Sequence, residues 1–82
     1  MMRKEWYQTL VIETTGSGPE MTRIRNLLSE YEVEIRDLDI KESEHADRLR
    51  LELQVKLVPD QPRDEIITQL RRLERTVEAY WI

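Results

Sequence analysis

The stretch from Arg48 to Leu57 constrains this chain more than any other. Leu49, Leu51, Leu53, Val55 and Leu57 alternate without a fault against Arg48, Arg50, Glu52, Gln54 and Lys56. Successive side chains of a β-strand point to opposite faces, so this strand has one apolar face and one charged face. A strand buried on both sides would instead read as a nearly continuous apolar run. The pattern therefore calls for an antiparallel sheet with one face covered and the other wet. The rest of the chain must supply the neighbouring strands and the cover.

The other segments do so. Trp6 to Thr14 reads as a first strand, with Leu10 and Ile12 on one face and Tyr7, Thr9 and Val11 on the other. A turn follows at Thr14-Thr15-Gly16-Ser17-Gly18-Pro19, which holds both glycines of the chain and so most of its backbone freedom. Ser17 and Glu20 have the spacing of a capping box, and Pro19 suits a first helical turn. Met21, Ile24, Leu27, Leu28 and Tyr31 then recur at helical spacing. Val33 to Lys41 is a second strand whose alternation slips, because Val33 and Ile35 share one parity and Leu38 and Ile40 the other. Either the strand begins near Arg36 or a bulge lies near Arg36-Asp37. Ser43-Glu44-His45-Ala46-Asp47 is a polar hairpin loop. After the third strand, Val58-Pro59-Asp60-Gln61-Pro62 breaks the chain, and Asp60 or Gln61 is placed to cap a second helix carrying Ile66, Ile67, Leu70 and Leu73. Val77 to Ile82 is the last strand.

The order β-α-β-β-α-β, with right-handed crossovers, has one compact solution. It is an α+β, ferredoxin-like βαββαβ sandwich: a four-stranded antiparallel sheet in the order 4-1-3-2 with two helices on one face. About twenty apolar side chains then point into one core, a modest number for an ~80-residue domain near the lower limit of unaided folding. Residues 1–5 read as a lead-in and residues 6–82 as a single domain.

Composition narrows the function. With 37% charged residues against a usual ~25%, the surface is heavily solvated. The net charge of −4 disfavours nucleic acid, whose phosphates need a basic footprint. Base stacking needs aromatic rings on the open face of the central strands; the chain has no phenylalanine, and only Tyr7 is placed to serve. With no cysteine, disulfides and thiolate metal carriage are excluded. No apolar run approaches the ~20 residues of a membrane helix, and no signal peptide opens the chain.

Few residues suggest chemistry. The first loop lacks the arginine that acyl-phosphate hydrolysis on this fold requires. Asp37 and Asp39 share a strand face, but a solvated face offers no apolar pocket to separate their pKa values. Glu42, Glu44 and Asp47 surround His45 and could take a hard cation, although their spacing matches no known calcium loop. No catalytic residue and no cofactor is therefore expected. Trp6 and Trp81 fall on the helix side at one end of the sheet, where they would cap the core. Tyr7, Val11, Tyr80 and Ile82 fall together on the open side. An exposed apolar strip along an edge strand is a place for self-association, and a weak homodimer is expected there.

Over nearly its whole length the chain resembles the ACT domain family. The likeness is carried by Glu13-Thr14-Thr15, by Gly18-Pro19-Glu20-Met21, by Ile24, Leu27 and Leu28, and by a second strand running Glu32-Val33-Glu34-Ile35-Arg36-Asp37-Leu38-Asp39-Ile40. Within that group it is most similar to the C-terminal cytoplasmic domain of the MgtC/SapB family of membrane proteins. The charged third strand and the ending Leu73-Glu74-Arg75-Thr76-Val77-Glu78-Ala79-Tyr80-Trp81-Ile82 carry that likeness. The resemblance implies a non-catalytic regulatory or protein-interaction domain on the cytoplasmic side of a membrane protein linked to magnesium homeostasis. Its partners would be protein, and it would be excised from a longer chain at a boundary near Met1-Met2. The ACT likeness alone implies instead a sensor of an amino acid, bound at Gly16, Ser17, Gly18 and Met21. Amino-acid-binding members carry an aspartate three residues before the loop glycine; here Thr15 stands there, which argues against that ligand.

Overall fold

The computed structural model describes residues 6–15 and 21–82, in the order β1 (Trp6–Thr15), α1 (Met21–Glu30), β2 (Glu34–Glu42), β3 (Arg48–Leu57), α2 (Arg63–Arg71) and β4 (Thr76–Trp81). One antiparallel sheet runs β2-β3-β1-β4, the expected order read from the other side. The central pair is in full register from Trp6↔Leu57 to Thr15↔Arg48. Leu10, Ile12, Leu51, Leu53, Val55 and Leu57 thus share one face, and Ile24 and Leu28 of α1 with Ile66, Ile67 and Leu70 of α2 cover it. The proposed capping box and most of the first loop lie outside the described residues.

The slip in the second strand is a bulge. Ile35 pairs with Val55 and Asp37 with Gln54, so Arg36 is the extra residue, and the parity of the apolar positions changes across it. A second bulge leaves no mark in the residue pattern. Glu13 pairs with Glu78 but Thr14 with Thr76, so Val77 has no opposite number. The parity that placed Val77 with Ala79 and Trp81 fails there, and Val77 is 44% exposed.

Helix ends also differ from expectation. Neither Asp60 nor Gln61 caps α2: the N-cap is Pro62, with no side-chain hydrogen bond. Instead the Arg63 amide donates to the Gln61 carbonyl at 2.9 Å. At the end of α1, the Val33 amide donates to the Leu28 carbonyl at 2.9 Å and the Glu32 amide to the Ser29 carbonyl at 3.0 Å. That pair of bonds is a Schellman motif. Its left-handed position is Glu32, φ 60°, where glycine is the usual occupant.

Candidate functional site

Two places on the sheet bring polar groups together, and both arise from the topology. The first is the open face beneath the β2–β3 hairpin. The central register sets Glu13 opposite Arg50, both on the wet side. The hairpin bends across β3 toward β1, helped by Asp47 at φ 61°. Ser43 Oγ then donates to Glu13 Oε1 at 2.7 Å, and the His45 amide donates to Ser43 Oγ at 3.1 Å. Arg48 lies 3.9 Å from the same carboxylate oxygen. Glu13 is left only 8% exposed, so a charged side chain is buried because one hydroxyl and one guanidinium reach it.

Beside it, Glu52 is held from two sides. Lys41 Nζ donates to Oε1 at 3.1 Å, and Arg50 Nε donates to Oε2 at 2.8 Å. The Lys41 hydrogen bond, opposed by desolvation and seconded by Arg50, keeps the Glu52 carboxyl below its ordinary range. In return, the hydrogen bond to Glu52 raises the Lys41 ammonium. A hollow of about 380 Å³ opens here, lined by these groups with His45, Glu44 and Tyr80.

The metal candidates are divided. Glu44 lines this hollow, Asp47 lines a second one of about 440 Å³, and Glu42 and His45 border both. Among the described residues no three histidine or acidic side chains gather where they could hold a metal ion. Asp37 and Asp39 lie exposed on the open face. Asp37 Oδ1 accepts from the Leu38 amide at 3.0 Å, and Asp39 lies 3.6 Å from Lys41. Of the loop residues proposed to hold an amino acid, Gly16, Ser17 and Gly18 lie outside the described residues. Met21 begins α1 and packs partly buried against the core.

The second place is the β4 edge and the end of the sheet next to it. Tyr7 and Ile82 are 59% and 65% exposed, as the open-side strip requires. Val11 is not: it is fully buried. Its cross-strand neighbours are Glu52 and Tyr80, and the longer side chains on either side cover its short isopropyl group. The two indoles meet the start of α2, with Arg63 stacked 5.4 Å from the Trp6 ring centre and Trp81 Nε1 donating to the Arg63 carbonyl at 3.3 Å.

Arg71 carries no signal in the sequence pattern. Its Nη2 donates to the Ala79 carbonyl and to Glu78 Oε1, each at 3.2 Å. The Ala79 amide in turn donates to Glu78 Oε1 at 3.0 Å. From Val77 to Ile82 the only charged side chain is Glu78, yet the β4 edge has side chains on both backbone groups of Ala79. Nothing in the spacing of Arg71 and Glu78 signals this; it follows only once α2 is laid along β4.

The sheet order, the two covering helices and the wet open face define an ACT-like, ferredoxin-like domain. No family model and no curated protein matches the chain. Solved structures do. The ACT domain from GTP pyrophosphokinase of Chlorobium tepidum matches at TM-score 0.72 and 10% identity, over 96% of this chain and 100% of that one. The C-terminal domain of the MgtC protein from Mycobacterium tuberculosis matches at TM-score 0.72 and 12% identity, over 93% of this chain and 84% of that one. At these identities the likeness is one of fold, equal for the two, and does not separate them.

Proposed function

We propose that this chain is a regulatory domain that acts through protein contacts and performs no chemistry of its own. In this reading it is the cytoplasmic C-terminal part of an MgtC/SapB-type membrane protein linked to magnesium homeostasis, and it pairs weakly with a second copy. The observation that carries the non-catalytic part is the pairing of Glu52 on the open face, whose two carboxylate oxygens accept from Lys41 and Arg50. Proton transfer at neutral pH calls for a carboxyl raised or an ammonium lowered toward the working pH. Glu52 is lowered and Lys41 raised, each away from neutrality, because each spends its charge on the other. The fold likeness to the MgtC C-terminal domain supports the choice of parent.

The deciding experiment reads the coding sequence upstream of Met1. Membrane-spanning helices there are the expected result, and an upstream metabolic enzyme would overturn it. The equal likeness to an ACT domain keeps one second reading, a sensor of an amino acid at the loop before Met21. Calorimetry against the standard amino acids separates the two. No heat of binding is expected, and micromolar affinity for any of them would replace the first reading with the second.

A further inference from the structure

We propose that the end of the sheet carrying Trp6, Tyr7 and Ile82 lies against the surface of a lipid bilayer and seats its rings among the headgroups. The proposal rests on the reading of this domain as the cytoplasmic part of a membrane protein, and it says which way the domain is held.

The apolar exposure of this chain is not spread evenly. Among the described residues five large apolar side chains are exposed: Trp6, Tyr7, Ile40, Val77 and Ile82. Trp6, Tyr7 and Ile82, at 39%, 59% and 65%, gather at one end. Trp6 opens β1 opposite Leu57, the last residue of β3. The Ile82 amide donates to the Thr9 carbonyl at 3.0 Å, which sets Ile82 two residues along β1 from Tyr7. Ile40 stands opposite Leu51, and Val77 sits in the bulge near Thr14. Single exposed apolar residues such as these two are ordinary, whereas a cluster marks a contact surface. The exposed Pro59 and Pro62 continue that cluster around a hollow of about 680 Å³ that Trp6 and Arg63 also line.

The chemistry of this end suits a headgroup layer. Indole and phenol rings are apolar bodies with one polar atom, and for that reason they concentrate at the membrane–water boundary. The Arg63 guanidinium lies 5.4 Å from the Trp6 ring centre, a cation held beside the ring where a docked lipid presents its phosphate. In sequence Arg3 and Lys4 come just before Trp6, and with Arg63 they offset most of Glu5, Asp60, Asp64 and Glu65. The far end differs: Glu42, Glu44 and Asp47 of the hairpin are all exposed acids, which an anionic leaflet repels. The chain also enters β1 at Trp6, so an upstream span is joined to the aromatic end. A patch this small is one weak signal for membrane binding, and it acts because that span holds it at high effective concentration. Docked so, the 10 residues of β1 at ~3.3 Å each carry the hairpin about 30 Å from the bilayer, where the open-face hollow meets the solution.

Tryptophan fluorescence tests this, with the chain tethered by an N-terminal hexahistidine tag to vesicles of phosphatidylcholine and phosphatidylglycerol containing a nickel-chelating lipid. The tether stands in for the upstream span. Tethering should shift the emission to the blue, and lipids brominated on the acyl chains near the headgroup should quench it. Trp6→Phe leaves Trp81 as the remaining indole and should lose most of the quenching. Tyr7→Glu with Ile82→Glu keeps Trp6 and the tether but places carboxylates on two exposed positions of the surface. It should abolish the quenching, with unchanged circular dichroism. A tethered wild type that brominated lipid does not quench overturns the proposal. So does quenching undiminished by Trp6→Phe, or quenching that survives Tyr7→Glu with Ile82→Glu and therefore comes from the tether alone. Each of those outcomes leaves the regulatory reading standing, because the parent protein is decided by the upstream coding sequence.

Discussion

Glu32 sits where α1 needs a left-handed residue, and replacing it with glycine should stabilise the domain. The amides of Val33 and Glu32 close the Schellman motif on Leu28 and Ser29, and Leu28 and Val33 are both buried in the core. The apolar contact that accompanies this motif is therefore present, and the backbone cannot relax out of φ 60° without losing it. A side chain in the left-handed region costs roughly 1–2 kcal/mol. Glycine removes that cost but brings a more flexible unfolded chain, which takes back about 0.5–1 kcal/mol. The net gain is about 0.5–1 kcal/mol, which for a domain of this size raises Tm by roughly 2–8 °C. Thermal unfolding followed by circular dichroism measures it, with Glu32→Ala as the control. Alanine keeps the Cβ and removes an exposed carboxylate, so it should change Tm little. A Glu32→Gly protein no more stable than Glu32→Ala would refute the reasoning, since the strain would then have been absorbed elsewhere.

Further outcomes follow from the core, the hairpin and the charged face. Leu53→Ala empties a fully buried site on a central strand and should cost about 2–5 kcal/mol, read from the urea midpoint; a loss under ~1 kcal/mol would mean the core collapses freely around it. Ser43→Ala takes the hydroxyl from buried Glu13 and should destabilise by about 1–3 kcal/mol, whereas unchanged stability would show that water replaces the bond. Glu52 has a folded pKa below its unfolded one, so its contribution is present above the ordinary carboxylate value of about 4.3 and is lost as pH falls through the lower folded value. The stability advantage of wild type over Glu52→Gln should accordingly shrink between neutral pH and about pH 3, and a pH-independent difference would contradict the pairing. With Glu44 and Asp47 on different hollows, magnesium should bind no tighter than the millimolar range of open carboxylate modules; an NMR titration that saturates at low micromolar magnesium with shifts confined to the hairpin would say otherwise.

Periodicity alone determined the elements, their faces and, through the right-handed crossover, the sheet order. The alternation of Leu49 to Leu57 names a covered and a wet face, and the slip between Ile35 and Leu38 marks the Arg36 bulge, because both are properties of consecutive residues. The bulge at Val77 left no such mark, since Val77, Ala79 and Trp81 keep faultless parity and only the pairing with β1 reveals the extra residue. Val11 has the pattern of an exposed position and is buried, because exposure depends on how long its neighbours on two other strands are. The Ser43–Glu13 bond and the Arg71 cover over Ala79 join residues 30 and 8 positions apart. Neither is written in spacing. Each depends on where the hairpin bends and how α2 is rotated over the sheet, and that rotation is set by the packing of all the elements at once.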